Sequence, residues 1–281
     1  MRKFLMLLAA ALAAGLLVAG CSEDTPFAPT GTDVEDGSIY QRPEFIDTRP
    51  PAVQAQFTWT AADAVPVALE VGGDKGLKYA LVVGISDYEG TANDLTYCDD
   101  DARDWAARLQ TEGYSVTTLI DGAATAAAIQ AQVDALVAKS IAGNEIAFTY
   151  SGHGSRGNMI SADLYYISSS WFGTKFAACT STKMAFAFDA CQIGAFGTAL
   201  NKAGRVIALA SDTKKYSYDG DATMQNGVFT YYQMLGFDQQ GFVYYEPDCA
   251  YAVTMFKQWA TLHRVKVAPS YIDAYTGDLD L

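Results

Sequence analysis

Phe148-Thr-Tyr-Ser-Gly-His-Gly154 and the stretch that answers it, Met184-Ala-Phe-Ala-Phe-Asp-Ala-Cys191, decide how the rest of the chain is read. Each is a short apolar run of the kind that forms a fully buried strand, and each stops at one chemically reactive side chain. The first run delivers His153, the second Cys191. In an open α/β sheet the ligand crevice lies beyond the carboxyl ends of the strands, so neighbouring parallel strands bring both side chains to one rim. A thiol beside an imidazole is a nucleophile beside its base. His153 stands between Gly152 and Gly154, which lets the backbone turn tightly and approach a bound molecule closely. Cys191 precedes Gln192-Ile-Gly194 at a strand-to-helix turn, where a helix N-terminus favours thiolate over thiol. A buried cysteine is equally at home as a packing residue, so residue type alone leaves both readings open.

The flanking segments supply the frame. Tyr79 to Ile85 reads as a buried strand, and Asp99 to Glu112 as a helix whose Ala102, Trp105, Ala106 and Leu109 form one apolar face, closed by Gly113. Tyr114 to Ile120 is β-branched and strand-like, Ala123 to Ser140 is Ala-rich and helical, and Glu145 to Tyr150 is the third strand. This βαβαβ order predicts a mostly parallel sheet with helices on both faces. Ser155 to Thr182 reads as a long irregular connection with a short strand at Leu164 to Ile167, placed where a functional loop belongs. Beyond Cys191 the pattern predicts a helix over Ala195 to Lys202, a strand over Arg205 to Ala210, a polar loop over Ser211 to Asn226, and helices over Gly227 to Leu235 and Tyr251 to His263.

The chain has 281 residues, half of them apolar, enough for one substantial core. Its formal net charge of −13 argues against a nucleic-acid partner and favours cationic ones. The five cysteines form no C-x-x-C metal spacing. With Cys21 and Cys191 reserved for chemistry, Cys179 and Cys249 are the pair expected to bridge in an oxidising compartment, on a geometry that sequence alone does not supply.

Met1-Arg-Lys carries positive charge and Phe4 to Ala19 is continuously apolar, the pattern of a signal peptide over residues 1–20. Its ending, Leu17-Val-Ala-Gly-Cys21, resembles the lipobox of bacterial lipoproteins, which implies lipid on Cys21 and a membrane anchor without a spanning helix. The expected location is the bacterial cell envelope. Ser22 rather than Asp after the cysteine suits the outer membrane. Residues 21–76 hold most of the prolines and read as a tether, with a weak strand pattern over Gln54 to Val71. The catalytic domain is expected over 77–281.

Four pieces in order, Tyr79-Ala-Leu-Val-Val-Gly-Ile85, Tyr97-Cys-Asp-Asp-Asp-Ala102, Tyr150-Ser-Gly-His-Gly154 and Asp189-Ala-Cys191, resemble the caspase-like cysteine peptidases (peptidase family C14), and among them most nearly the metacaspases. The resemblance implies a three-layer sandwich and a Cys-His dyad without a third catalytic residue. His153 is then general base and acid, Cys191 the nucleophile, and the N–H groups of Gly154 and Cys191 the oxyanion hole. It also implies cleavage of peptides after arginine or lysine, with Asp101 and Asp189 as the acids of the P1 pocket and Cys98 and Ser151 as its walls. Two features depart from the family. Gln192-Ile-Gly stands where many members have His-Ser-Gly, and Ser155 to Trp171 offers only Asp163 where metacaspases carry several calcium-binding acids, so no cofactor is assigned. Legumain-like or gingipain-like specificity, and a catalytically silent caspase fold used as a binding lipoprotein, are the alternatives. His263 is expected to be a surface or packing residue.

Overall fold

The structure, a computed structural model, describes residues 39–41, 76–90 and 93–281. The proposed signal peptide, Cys21, and the weak strand pattern over Gln54 to Val71 lie outside them. Among the described residues no helix is long and apolar enough to cross a membrane.

Strands are β1 (Ile39–Gln41), β2 (Lys78–Gly84), β3 (Ser115–Ile120), β4 (Glu145–Ser151), β5 (Gly154–Ser155), β6 (Asn158–Ile160), β7 (Tyr165–Ser168), β8 (Lys183–Asp189), β9 (Arg205–Leu209) and β10 (Ser270–Asp273). Helices are α1 (Cys98–Thr111), α2 (Ala126–Lys139), α3 (Ser169–Phe176), α4 (Ala195–Leu200), α5 (Val228–Asp238) and α6 (Tyr245–His263). A six-stranded sheet runs β10-β9-β8-β4-β2-β3, parallel except for the antiparallel edge strand β10. Helices α2, α3 and α4 cover one face and α1, α5 and α6 the other, which gives the mixed α/β sandwich expected from the βαβαβ order.

Local chemistry explains the boundaries. Apolar residues on α1 recur at Cys98, Ala102, Trp105, Ala106 and Leu109, all buried, and three aspartates occupy its first turn where the helix dipole favours negative charge. Gly113 follows with φ 84°, a left-handed step that only glycine takes cheaply. Thr125 caps α2 by accepting the Ala128 N–H at 3.2 Å.

The segment 155–182 is more ordered than its polarity suggests. It holds β5, β6 and β7, which pair antiparallel as a small second sheet, and α3, capped by Ser168 accepting the Trp171 N–H at 3.1 Å. These strands are two to four residues long, too short for alternation to show. Ile39–Gln41, within the stretch read as a tether, adds to β7 as a further antiparallel strand. Helix α6 starts at Tyr245, earlier than expected. Pro247 sits in its first turn, where the missing N–H costs no intrahelical bond.

The expected Cys179–Cys249 bridge does not form, and both residues are free thiols. Cys179 packs in the core under α2–α4 and Cys249 in the core under α5 and α6, so the sheet stands between them.

Candidate active site

Strands β4 and β8 are paired in parallel with Ser151 opposite Asp189, and the Gly152 N–H donates to the Asp189 carbonyl at 3.2 Å. His153 and Cys191 each stand two residues past that last paired position, so register alone brings them to the same rim. Gly154 is what lets the two chains close up. A Cβ there would lie 2.2 Å from the Cys191 carbonyl oxygen.

His153 is held from both sides. Its N–H donates to the Tyr88 hydroxyl at 2.7 Å, and its carbonyl accepts the Tyr150 hydroxyl at 2.7 Å. The Tyr88 ring leans on the imidazole at 4.8 Å. Its Nε2 lies 2.7 Å from the Asn93 carbonyl oxygen. That acceptor requires a hydrogen on Nε2, which makes Nδ1 the basic nitrogen. Burial lowers its pKa to about 4, with the Asn93 carbonyl opposing the shift, so at neutral pH the ring is an uncharged base.

Cys191 is buried, its Sγ 3.6 Å from the Ser217 carbonyl oxygen. The next residue, Gln192, has φ 52° and ties three segments together. Its N–H donates to the Lys215 carbonyl at 2.8 Å, its own carbonyl accepts from Gly157 at 2.9 Å, and its Oε1 accepts the Arg156 N–H at 3.0 Å. Only the last bond depends on the glutamine side chain, so the departure from His-Ser-Gly adds a tie to the β5–β6 turn at Arg156.

Beside Cys191 a cleft is lined by Cys98, Ser151, Asp189, Ser217, Asp219 and Gly227. Asp189 accepts the Ser217 hydroxyl on Oδ1 and both the N–H and hydroxyl of Thr230 on Oδ2 at 3.0 Å. Asp101 is fully buried behind Ser151, whose hydroxyl donates to its Oδ2 at 2.6 Å, while the Gly227 N–H donates to Oδ1 at 2.9 Å. The two carboxylates converge on Gly227. A Cβ there would meet Asp189 Oδ2 at 2.6 Å and Asp101 Oδ2 at 2.8 Å. Burial first, and for Asp101 the neighbouring Asp189 charge next, raises both acids above the usual carboxylate range.

Of the residues singled out from sequence, Cys98, Ser151, Gly154, Asp189 and Cys191 share this rim with His153, and Asp101 lies one layer deeper. Asp163 is engaged elsewhere, its Oδ1 accepting the Ala126 N–H at 2.8 Å at the start of α2. His263 is exposed, with Nδ1 2.8 Å from the Trp259 carbonyl oxygen and its ring stacked on Trp259 at 4.0 Å. Sequence reasoning missed Tyr88, Asn93, Ser217 and Asp219. Only their approach in space marks them, because the loop after β9 carries Asp212, Asp219 and Asp221 with nothing local to rank them.

A thiol-bearing strand end next to an imidazole-bearing one, on a three-layer α/β sandwich, defines a caspase-like scaffold. Residues 77–241 match the caspase domain, Peptidase_C14, and the chain belongs to that family of cysteine peptidases. Among solved structures it is similar to protein GSU0716 from Geobacter sulfurreducens, with a TM-score of 0.55 at 20% identity over 74% of this chain and 97% of that one. At that identity the likeness concerns the fold. Among curated proteins none matches.

Proposed function

We propose that the chain is a cysteine endopeptidase of metacaspase type, acting through Cys191 and His153 and cutting after arginine or lysine. The observation that carries this is the convergence of buried carboxylates on a cleft whose wall includes Cys191 itself. Carboxylates in a poorly solvated slot repel one another until a cation enters, so a basic P1 side chain is favoured there over a neutral or acidic one.

In the reaction, Cys191 Sγ adds to the scissile carbonyl carbon while its proton passes to His153 Nδ1. A neutral imidazole suits this role, since it takes the proton as the bond forms. The N–H groups of Gly154 and Cys191 receive the negative charge on the carbonyl oxygen. Collapse of the tetrahedral adduct breaks the C–N bond, His153 returns its proton to the leaving amine, and a thioester remains. Water then adds to the thioester with His153 as base, releasing the new carboxylate and restoring the thiol. The nucleophile acts as a free thiol or thiolate, so activity is measured on the reduced chain.

The test is kcat/KM for matched peptides with P1 arginine, lysine, asparagine or aspartate, under reducing conditions. Cys191→Ala and His153→Ala should each lower hydrolysis by at least about a thousandfold without unfolding the protein. A preference for P1 asparagine or aspartate would point to legumain-like or caspase-like specificity instead.

The N-terminal sequence adds a second element, a lipoprotein with a signal peptide over 1–20, lipid on Cys21, a tether over 21–76 and the peptidase domain over 77–281, anchored in the bacterial envelope. Cys21→Ser should leave the membrane fraction, and its persistence there in high salt would contradict the anchor.

A further inference from the structure

The wall of the cleft includes a carboxylate that no sequence pattern singles out. Asp219 sits on the loop between β9 and α5, bridging antiparallel to Gly227, and shares the cleft with Cys98, Ser151 and Asp189. Two residues earlier on the same arm, Ser217 presents its carbonyl to Cys191 and its hydroxyl to Asp189. This short run therefore passes both the nucleophile and the pocket.

Hydrogen bonding separates the three acids. Asp101 does not line the cleft, and Ser151 and Gly227 each occupy one of its oxygens. Asp189 lines it but already accepts from Ser217 and twice from Thr230. Asp219 accepts the Thr96 N–H on Oδ2 at 3.0 Å and bonds the Thr96 side chain, and among the described residues its Oδ1 meets the Cys98 thiol at 4.0 Å. A thiol is a weak donor and, among the described residues, Thr96 is the only other donor to this side chain, so the carboxylate retains acceptor capacity for a charged N–H. Among the three acids, Asp219 combines a place on the wall with the fewest strong donors.

We propose that Asp219 is a specificity-determining residue, the carboxylate that receives the P1 guanidinium or ammonium group together with Asp189, and that Asp101 is a positioning residue acting through Ser151 and Gly227. This rests on the basic-P1 assignment above. Asp189 comes from the end of β8 and Asp219 from the loop that closes over it, so the planar fork of arginine can address one acid with each arm. Asp101 holds Ser151 and Gly227, the floor on which that fork lies. The state of Asp219 agrees: burial, with the Asp189 charge adding to it and the Thr96 N–H opposing, pushes its pKa up to about 6, the behaviour of a carboxylate short of a cation.

The experiment compares peptides identical except for P1 arginine or P1 citrulline, its uncharged isostere, on the reduced full chain. Wild type should favour arginine in kcat/KM. Asp219→Asn should lower the arginine-over-citrulline ratio by about tenfold or more, chiefly through KM for the arginine peptide. Asp101→Asn should slow both peptides by similar factors and leave the ratio within about threefold of wild type. A wild type that prefers arginine while Asp219→Asn retains the ratio overturns the role of Asp219 and leaves the basic-P1 assignment standing. Wild type that ignores the charge, or cuts neither peptide, overturns both. Should Asp219→Asn lose all cleavage, Asp219→Glu decides, because the proposal requires this charged variant to restore most of the ratio and fails if it does not.

Discussion

On β4 and β8 the residues pointing to one face of the sheet are Ile146, Phe148 and Tyr150 with Met184, Phe186 and Phe188, whereas those pointing to the other are Ala147, Thr149 and Ser151 with Ala185, Ala187 and Asp189. The first face is a dense aromatic layer. Phe172 of α3 lies 4.7 Å from Phe148, 5.0 Å from Phe176 and 5.6 Å from Phe196 between ring centres. The second face is a stripe of small side chains on which α1 comes very close. A Cβ on Gly84 would lie 2.2 Å from the Cys98 carbonyl oxygen and 2.5 Å from the Ala102 Cβ. That approach brings Cys98 and Asp101, at the start of α1, up to the strand ends where Ser151 and Asp189 continue the stripe. The aromatic face holds the strands in register, and the small-residue face leaves room for polar groups at its rim.

If this division is right, the two faces respond differently to mutation. The largest effect is expected on the aromatic side, where Phe172→Ala should cost about 3–5 kcal/mol of stability in urea denaturation while leaving the P1 preference of the folded fraction unaltered. A selectivity change as large as the stability change would mean that the faces are not separable.

On the small-residue side, Asp189→Asn should cost about 2–4 kcal/mol of transition-state binding for a P1 arginine peptide, read as kcat/KM. Its effect on stability should be small or favourable, because a carboxyl whose folded-state pKa is raised destabilises the folded protein at neutral pH. Equal losses of stability and activity would place Asp189 in the framework rather than in recognition.

The smallest expected effect is in pH dependence. Asp219 must be ionised to receive a cation, so KM for a P1 arginine peptide should worsen as pH falls through about 6. The imidazole of His153 must be neutral to act as base, and with its pKa lowered to about 4 the value of kcat should persist to lower pH than KM does. A loss of kcat centred near 6.5 would show a solvated histidine in place of a buried one.

What could be read from sequence follows from the same contrast. The strands β2, β4 and β8 are buried on both faces, so they appear as unbroken apolar runs, and the reactive residues stand out at their ends. Of the pocket residues carried over by resemblance, Ser151 and Asp189 end two of those runs, and Cys98 and Asp101 open α1. Asp219, Asn93 and Tyr88 act from loops, and their importance comes from proximity in space across segments up to 123 residues apart, as between Thr96 and Asp219. The same holds for β1, whose pairing with β7 joins Ile39 to Ile167. Edge strand β10 was missed because its side chains are mostly exposed, which leaves no apolar pattern to find.

The assignment of Cys191 as nucleophile with His153 as its base is tested most directly by mass spectrometry of the reduced chain after reaction with an arginyl fluoromethyl ketone peptide. Attack by the thiolate forms a thioether and releases fluoride, leaving a permanent record of which sulfur reacted. The account predicts one adduct, on Cys191, formed much more slowly in His153→Ala and competed by a P1 arginine peptide. An adduct on Cys98, Cys179 or Cys249 instead, or labelling of Cys191 that is indifferent to His153 and to competing peptide, would contradict it.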